Sequence, residues 1–259
     1  MRVSVIGAGS WGTAVADLVG AKQSVTLWAR RETLTTAIND TRENPEYLPG
    51  HPLSDSISAT SDLDEALSGV DALVMGVPSH GFRSVLETVR DQIASDVPIL
   101  SLAKGVERES LMRMTEVTAD VLPDHDADRI GVLTGPNLAR EIVAGQPAAT
   151  VIAMKDEDAA KALQQVFMSK RFRVYTNDDV IGSESGGALK NVMAIAAGMA
   201  HGLGFGDNTM ATLITRALAE LKRLGVAMGG RPLTFAGLAG MGDLIATCMS
   251  SQSRNHSVG

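Results

Sequence analysis

The sequence predicts an α/β protein in which a doubly wound, mostly parallel sheet is followed by an all-α second domain. Short β-branched segments alternate with helical patterns as far as about residue 178. Beyond that point strand patterns stop, and long stretches rich in Ala, Leu, Met and Gly take over. We therefore expect a first domain at residues 1–179 and a helical domain at residues 180–259.

The first domain is assigned element by element from its apolar patterns and turn residues. We expect strands at residues 2–6, 25–28, 72–78, 98–102, 130–133, 149–153 and 172–175. We expect helices at residues 13–19, 32–39, 62–67 and 80–93, another between the strands at 98–102 and 130–133, and one from 138 onward. Residues 44–50 hold two prolines and a glycine and are expected to form a loop.

Ligands of such sheets lie beyond the carboxyl ends of the strands. The loops that follow four of the strands are residues 7–12, 76–79, 103–105 and 134–137. We expect all four loops to open onto one crevice.

The first of these loops has the spacing of a dinucleotide-binding turn. Gly7, Gly9 and Gly12 stand between a strand and a helix, and a second strand follows. The first glycine permits the tight turn, the second lets the backbone approach a pyrophosphate, and the third allows close helix–strand packing. The helix N-terminus favours the anion. The sequence therefore predicts a Rossmann-type dinucleotide-binding unit.

The end of the second strand bears on the choice of cofactor. A carboxylate usually stands there to bind the ribose hydroxyls of NAD, but this chain has Arg30 and Arg31. Guanidinium groups can pair with a 2′-phosphate, so NADP(H) is the expected cofactor, with NAD(H) possible. The alternative is a pair of solvated arginines at the start of a helix.

Composition narrows the function classes. The 259 residues carry a net charge of −7, few aromatics and no long basic run, which argues against nucleic-acid binding. A single cysteine, Cys248, fits a reducing compartment. The apolar stretch 186–204 contains polar residues and indicates a buried helix, not a membrane span. With no leader pattern and no metal-ligand spacing among the histidines, we expect a cytoplasmic protein without a metal site.

Two lysines and a carboxylate are candidates for chemistry. Lys190 lies in an apolar helix, where burial would lower its pKa and suit it to acid–base work, or it snorkels to an edge. Gly186 and Gly187, one turn earlier, would let a substrate approach. Lys104 follows a strand directly, or is an exposed loop lysine. Asp243 could orient a lysine, although a helix N-cap is the simpler interpretation.

The segment Ser253-Arg254-Asn255 offers a hydroxyl, a guanidinium and an amide in succession, a set suited to a phosphate. An ordinary polar loop is the alternative. A local cationic site of this kind is compatible with the acidic net charge of the chain.

Eight short motifs run in order along the whole chain: GAGSWGTA at 7–14, VPSH at 77–80, LAKG at 102–105, TGP at 134–136, GGALKN at 186–191, GLGFG at 202–206, GLAGMGD at 237–243 and SRN at 253–255. The later motifs are highly specific. Together they resemble the NAD(P)-dependent glycerol-3-phosphate dehydrogenase family, most of all its bacterial biosynthetic branch.

The resemblance implies hydride transfer between a nicotinamide and C2 of dihydroxyacetone phosphate or sn-glycerol 3-phosphate, in a homodimer that supplies phospholipid synthesis. It makes Lys190 the acid–base residue, Lys104 a second lysine at the reacting carbons and Asp243 a carboxylate beside them. Other matched positions are, for the cofactor, Ser10, Trp11, Arg30, Lys104, Ala139 and Arg254, and, for the substrate, Gly135, Asn137, Ser253, Arg254 and Asn255.

The chain departs from the family pattern at a few positions. Asn137 replaces a small hydroxyl residue, and Ser183 and Ser185 replace more apolar ones. Family members usually continue past the Ser-Arg-Asn segment, so we expect a shortened helical domain. Two alternatives stay open: another two-domain dehydrogenase of β-hydroxyacids, and an inactive nucleotide-binding redox sensor.

Overall fold

A computed structural model describes residues 1–259. The strands are β1 (Arg2–Ile6), β2 (Ser24–Trp28), β3 (Glu43–Asn44), β4 (Leu48–Pro52), β5 (Ile57–Thr60), β6 (Ala72–Met75), β7 (Ile99–Ser101), β8 (Ile130–Thr134), β9 (Ala148–Ala153) and β10 (Phe172–Asn177). The helices are α1 (Ser10–Gly20), α2 (Glu32–Thr41), α3 (Leu63–Leu67), α4 (Ser79–Val89), α5 (Met114–Val121), α6 (Ala139–Val143), α7 (Glu157–Phe167), α8 (Val180–Gly202), α9 (Asp207–Ala227), α10 (Asp243–Met249) and α11 (Arg254–Val258).

Eight strands form one sheet in the order β10-β9-β8-β7-β6-β1-β2-β5. Every neighbouring pair is parallel except β8 and β9, which are antiparallel. The predicted fold class, a doubly wound and mostly parallel sheet, is confirmed. Edge strand β5 was missed, because four residues of mixed polarity carry little strand signal.

The predicted loop at 44–50 is wrong in part, because β3 and β4 pair there as a small antiparallel hairpin. Asn44 accounts for this local order. Its buried amide donates to Ala8 O at 2.9 Å and to Thr13 Oγ1 at 2.8 Å, which fixes the hairpin beside the glycine-rich turn. Such long-range hydrogen bonds leave no local sequence signal.

Two apolar layers cover the sheet. In β1, Val3 and Val5 face one layer, which α1 and α7 complete, whereas Ile6 faces the other, which α4 and α5 complete. Burial of both faces explains why the strands are nearly continuous apolar runs. Helices on both sides leave the strand ends as the accessible edge of the sheet.

No strand follows β10, and the remainder of the chain is helical. Long helix α8 packs its first turns against the sheet through Val180, and its later turns against α9 and α10. Small residues such as Ala194 and Ala197 fill this second core and allow the helices to lie close together. No helix has the length and apolar character needed to cross a membrane.

Candidate active site

Four loops meet at the carboxyl ends of the parallel strands, as predicted. Residue 7 abuts residue 76 so closely that a Cβ on Gly7 would lie 2.8 Å from Gly76 C. A Cβ on Gly105 would lie 2.9 Å from Ser79 Oγ. Lys104 Nζ donates to Gly135 O at 3.0 Å, which joins the third loop to the fourth. The expected single crevice is therefore present.

The glycine-rich turn has the geometry that a dinucleotide requires. Gly7 has φ +120°, and a Cβ on Gly12 would lie 1.9 Å from Gly7 O, so a side chain at either position would strain or displace the backbone. The space above Gly9 is open, with no atom within 4 Å of the position of a Cβ. No side chain caps α1, so its first amides are free for an anion. A pyrophosphate fits this turn.

The other predicted cofactor residues surround the same crevice edge. Ser10 opens α1 and donates to Tyr47 O at 2.7 Å, and the indole Nε1 of Trp11 is buried without a partner. Ala139 begins α6, which packs against α1. Arg30 is exposed directly after β2 and makes no ion pair, whereas Arg31 pairs with Glu46.

Lys104 and Lys190 converge on one carboxylate. Lys190 Nζ lies 2.7 Å from Asp243 Oδ1, and Lys104 Nζ lies 2.7 Å from Asp243 Oδ2. Lys190 is 4% exposed and Asp243 is 1% exposed, so both are buried. The snorkelling alternative for Lys190 is therefore wrong, and Lys104 is not a free loop lysine. The N-cap interpretation of Asp243 is also wrong, because its carboxylate accepts from the lysines and caps no helix amide.

Burial, and after it the nearby charge of Lys104, lower the pKa of Lys190, while Asp243 opposes the shift, and the net pKa is about 8. At this pKa the amine exists in both protonation states near neutral pH. A group of this kind can donate a proton to a developing oxyanion and take it back in the reverse direction. The site can therefore support proton transfer.

Two further residues, missed in the sequence analysis, belong to this cluster. Thr247, one turn after Asp243, accepts a hydrogen bond from Lys190 Nζ. Asn191 donates to Lys104 O at 3.1 Å and accepts from Asn255 Nδ2 at 2.8 Å. Its position directly after Lys190 within the GGALKN motif was the only available signal.

Gly186 and Gly187 were expected to leave room for a substrate, but they do not. A Cβ on Gly186 would lie 2.4 Å from Ala239 O, and one on Gly187 would lie 3.5 Å from Lys104 Cγ. Protein atoms fill both spaces. The glycines instead let α8 approach the segment before α10 and the stem of Lys104, which brings the two lysines together.

Comparisons with known proteins agree with this geometry. The family model for the NAD-dependent glycerol-3-phosphate dehydrogenase N-terminus matches residues 2–160, and the family model for the C-terminus matches residues 179–259. The chain belongs to this dehydrogenase family. Its glycine-rich turn, its helical C-terminal part and its buried lysine are thus features of one family member.

Individual proteins similar to this chain have names that agree with the family assignment. Over all of this chain, a Sphingopyxis alaskensis protein named glycerol-3-phosphate dehydrogenase [NAD(P)+] 2 is 59% identical, and the chain covers 77% of it. A Corynebacterium glutamicum glycerol-3-phosphate dehydrogenase [NAD(P)+] is 54% identical and is covered to 78%. The crystal structure of a glycerol-3-phosphate dehydrogenase from Coxiella burnetii superposes with a TM-score of 0.93 at 38% identity, covering 98% of this chain and 78% of that one.

In this member of the dehydrogenase family, the remaining predicted substrate residues lie at the start of α11 and in the loop after β8. Ser253 caps α11, where its hydroxyl accepts from His256 N at 3.3 Å, and Arg254 beside it is exposed. Asn137 donates to Thr150 Oγ1 at 2.9 Å, while its carbonyl oxygen is buried without a partner. The hydroxyls of Ser183 and Ser185 are also buried and unpaired.

Proposed function

We propose that the protein interconverts dihydroxyacetone phosphate and sn-glycerol 3-phosphate with a nicotinamide dinucleotide. One observation carries the proposal: two lysines converge on a buried carboxylate at the strand edge where the dinucleotide turn opens. A nucleotide-binding sensor needs no such cluster. The names of the relatives, glycerol-3-phosphate dehydrogenase [NAD(P)+], support the same activity.

Lys190 is the proposed proton donor of the ketone reduction. When bound, the reduced nicotinamide supplies a hydride to C2, so negative charge develops on the carbonyl oxygen. Lys190 protonates this oxygen, and the fixed positive charge of Lys104 stabilises it in a largely water-excluded site. Asp243 holds both amines in place. In the oxidation direction the neutral amine of Lys190 removes the hydroxyl proton.

The substrate phosphate is assigned to the start of α11. Arg254 is an exposed guanidinium, Asn255 is linked through Asn191 to the Lys104 loop, and Ser253 stands beside them. A guanidinium fork and amides suit a phosphate. Gly135, whose carbonyl oxygen accepts from Lys104, and Asn137 are the other proposed substrate contacts.

NADP(H) is the proposed preferred cofactor, with NAD(H) also used. Arg30 supports this choice, because its guanidinium is exposed after β2 and has no acidic partner. Arg31 can contribute only if it leaves Glu46. Gly7, Gly9, Gly12, Ser10, Trp11 and Ala139 complete the proposed cofactor site.

We further propose a substrate domain at residues 180–259, a cytoplasmic homodimer and a role in supplying glycerol 3-phosphate for phospholipid synthesis. Exposed apolar residues on the helical part, such as Met199 and Leu203, support an association of subunits. Size measurement by light scattering at several concentrations tests the dimer.

The decisive experiment follows absorbance of the reduced nicotinamide with dihydroxyacetone phosphate, with NADPH and NADH in parallel. We expect oxidation only when the substrate is present, and faster with NADPH. The Lys190→Ala variant should bind cofactor but lose about 10²- to 10⁴-fold in turnover. Exposed Lys155, changed to Ala, is the matched control. No substrate-dependent oxidation by the wild type would refute the activity.

A further inference from the structure

A buried ion pair connects the helix that carries Lys190 to the loop that begins with Lys104. Glu184 lies on α8, and its side chain is 1% exposed. Arg113 Nη1 donates to Glu184 Oε2 at 2.8 Å, and Thr115 N donates to Glu184 Oε1 at 3.0 Å. The Thr115 hydroxyl donates to the same carboxylate. All hydrogen bonds of this carboxylate therefore go to the segment around the start of α5.

The loop between Lys104 and Arg113 is a closed unit. Residues Val106 and Arg113 form an isolated antiparallel bridge, and Glu107 N donates to Met112 O at 2.9 Å. Arg83 holds the loop from outside, with Nε and Nη2 bonded to the two oxygens of Glu107 at 2.8 and 3.0 Å. Backbone hydrogen bonds therefore tie Arg113 to Val106, two residues after Lys104.

One face of α8 contacts both ends of the loop between Lys104 and Arg113. Residues 184, 187 and 191 are spaced by three and four positions, so they share a helix face. Glu184 holds the Arg113 end, the stem of Lys104 packs over Gly187, and Asn191 holds the carbonyl of Lys104. Lys190 precedes Asn191 on α8, so the same helix segment also fixes the position of Lys190.

We propose that Glu184, through Arg113 and Thr115, is a positioning residue that sets the separation of Lys104 and Lys190 at Asp243. The pair contacts neither lysine directly. A buried ion pair contributes little net stability compared with apolar residues of similar size, so a geometric role accounts for it better than stabilisation. Misplacement of reacting groups by about 1 Å costs on the order of 10²-fold in rate. The inference rests on the proposed function.

The test compares Glu184→Gln with Glu116→Gln. Each change removes one acidic partner of Arg113, but Glu116 lies on α5, 2.9 Å from Arg113 Nη2 and half exposed, and makes no bond to α8. For Glu184→Gln we expect kcat for dihydroxyacetone phosphate to fall about 10- to 100-fold, with the Kd for NADPH unchanged. The primary isotope effect with deuterated NADPH should rise, because hydride transfer becomes more rate-limiting. Glu116→Gln should show neither effect.

A double variant separates positioning from stability. Arg113→Met with Glu184→Met replaces the ion pair by apolar side chains and should restore the Tm lost in Glu184→Met alone. We expect its kcat to stay low. Recovery of kcat together with Tm would overturn the proposal, as would equal kcat in Glu184→Gln and Glu116→Gln.

A second readout needs no turnover. Reductive methylation with formaldehyde and borohydride, followed by mass spectrometry, reports how accessible the amine of Lys190 is. We expect several-fold faster labelling of Lys190 in Glu184→Gln than in the wild type or Glu116→Gln, and unchanged labelling would refute the positioning role. A wild type that fails to reduce dihydroxyacetone phosphate would refute the proposed function, while the labelling would still decide this inference.

Discussion

Asp243→Asn should move the titration of Lys190 to lower pH. The carboxylate is the group that opposes the lowering of the Lys190 pKa, so its neutralisation leaves burial and the charge of Lys104 unopposed. The amide is nearly isosteric and can still accept one hydrogen bond. The sign is therefore fixed: the pKa of Lys190 falls.

The magnitude follows from the 2.7 Å separation of Lys190 Nζ and Asp243 Oδ1. Unit charges at that distance in an effective dielectric of about 20 attract by about 6 kcal/mol, which is an upper bound. In practice an opposite charge this close shifts a pKa by about 1–3 units, and we take about two units, which correspond to about 3 kcal/mol. The pKa of Lys190, about 8 in the wild type, should then lie near 6 in the variant.

The assay is kcat/KM for dihydroxyacetone phosphate reduction across about pH 5.5 to 9.5, which reports the free enzyme. The protonated amine is the donor, so the wild-type rate should fall as pH rises through about 8. In Asp243→Asn the fall should begin near pH 6, and the rate at pH 7 should be about tenfold lower from protonation alone. In the oxidation direction the rate of each enzyme should rise through the same pH.

The control is Asp120→Asn, which removes a half-exposed carboxylate that pairs with Arg83 on the surface. Its profile should match the wild type. The substrate phosphate also titrates near pH 6, but that limb is shared by all three enzymes. A limb for Asp243→Asn that stays near pH 8, or moves higher, would refute the electrostatic argument.

Three further outcomes are expected. Gly9→Ala should keep the wild-type Tm but lose NADPH affinity, measured by calorimetry, because the space above Gly9 is open to a ligand. Gly12→Ala should instead lower the free energy of unfolding in urea by about 1–3 kcal/mol, because its Cβ meets a backbone oxygen. Arg30→Gln should raise the KM for NADPH about tenfold and leave that for NADH nearly unchanged; equal changes would remove the 2′-phosphate assignment. Hydrogen bonds from Arg83 lower the pKa of Glu107 to about 2. The stability that this ion pair contributes is therefore present above about pH 4.5 and is lost as pH falls toward 2. The acid-induced fall in Tm should be smaller for Glu107→Gln than for the wild type, and an identical fall would exclude the pair as a cause of acid sensitivity.

Local patterns carried much of the fold. Alternating strand and helix patterns, with the glycine spacing at residues 7–12, predicted β1, α1 and β2, because each rests on contacts between neighbours in sequence. The crevice followed from the general rule that ligands of such sheets lie beyond the carboxyl ends of the strands. The short strands β4 and β5 were not predicted, because contacts distant in sequence order them. β4 and β5 are ordered by side chains from elsewhere, such as Asp17, whose carboxylate accepts from Ser54 N at 2.9 Å between them.

The sequence by itself determined that a dinucleotide-binding turn, two candidate lysines and a candidate phosphate-binding segment stand in this order along the chain. It could not decide whether Lys190 was buried or whether Asp243 was a cap. Those answers depend on Asp243 meeting a lysine 53 residues before it and another 139 residues before it. Only the close packing of α8, made possible by Gly186 against Ala239, brings these groups together and removes them from water.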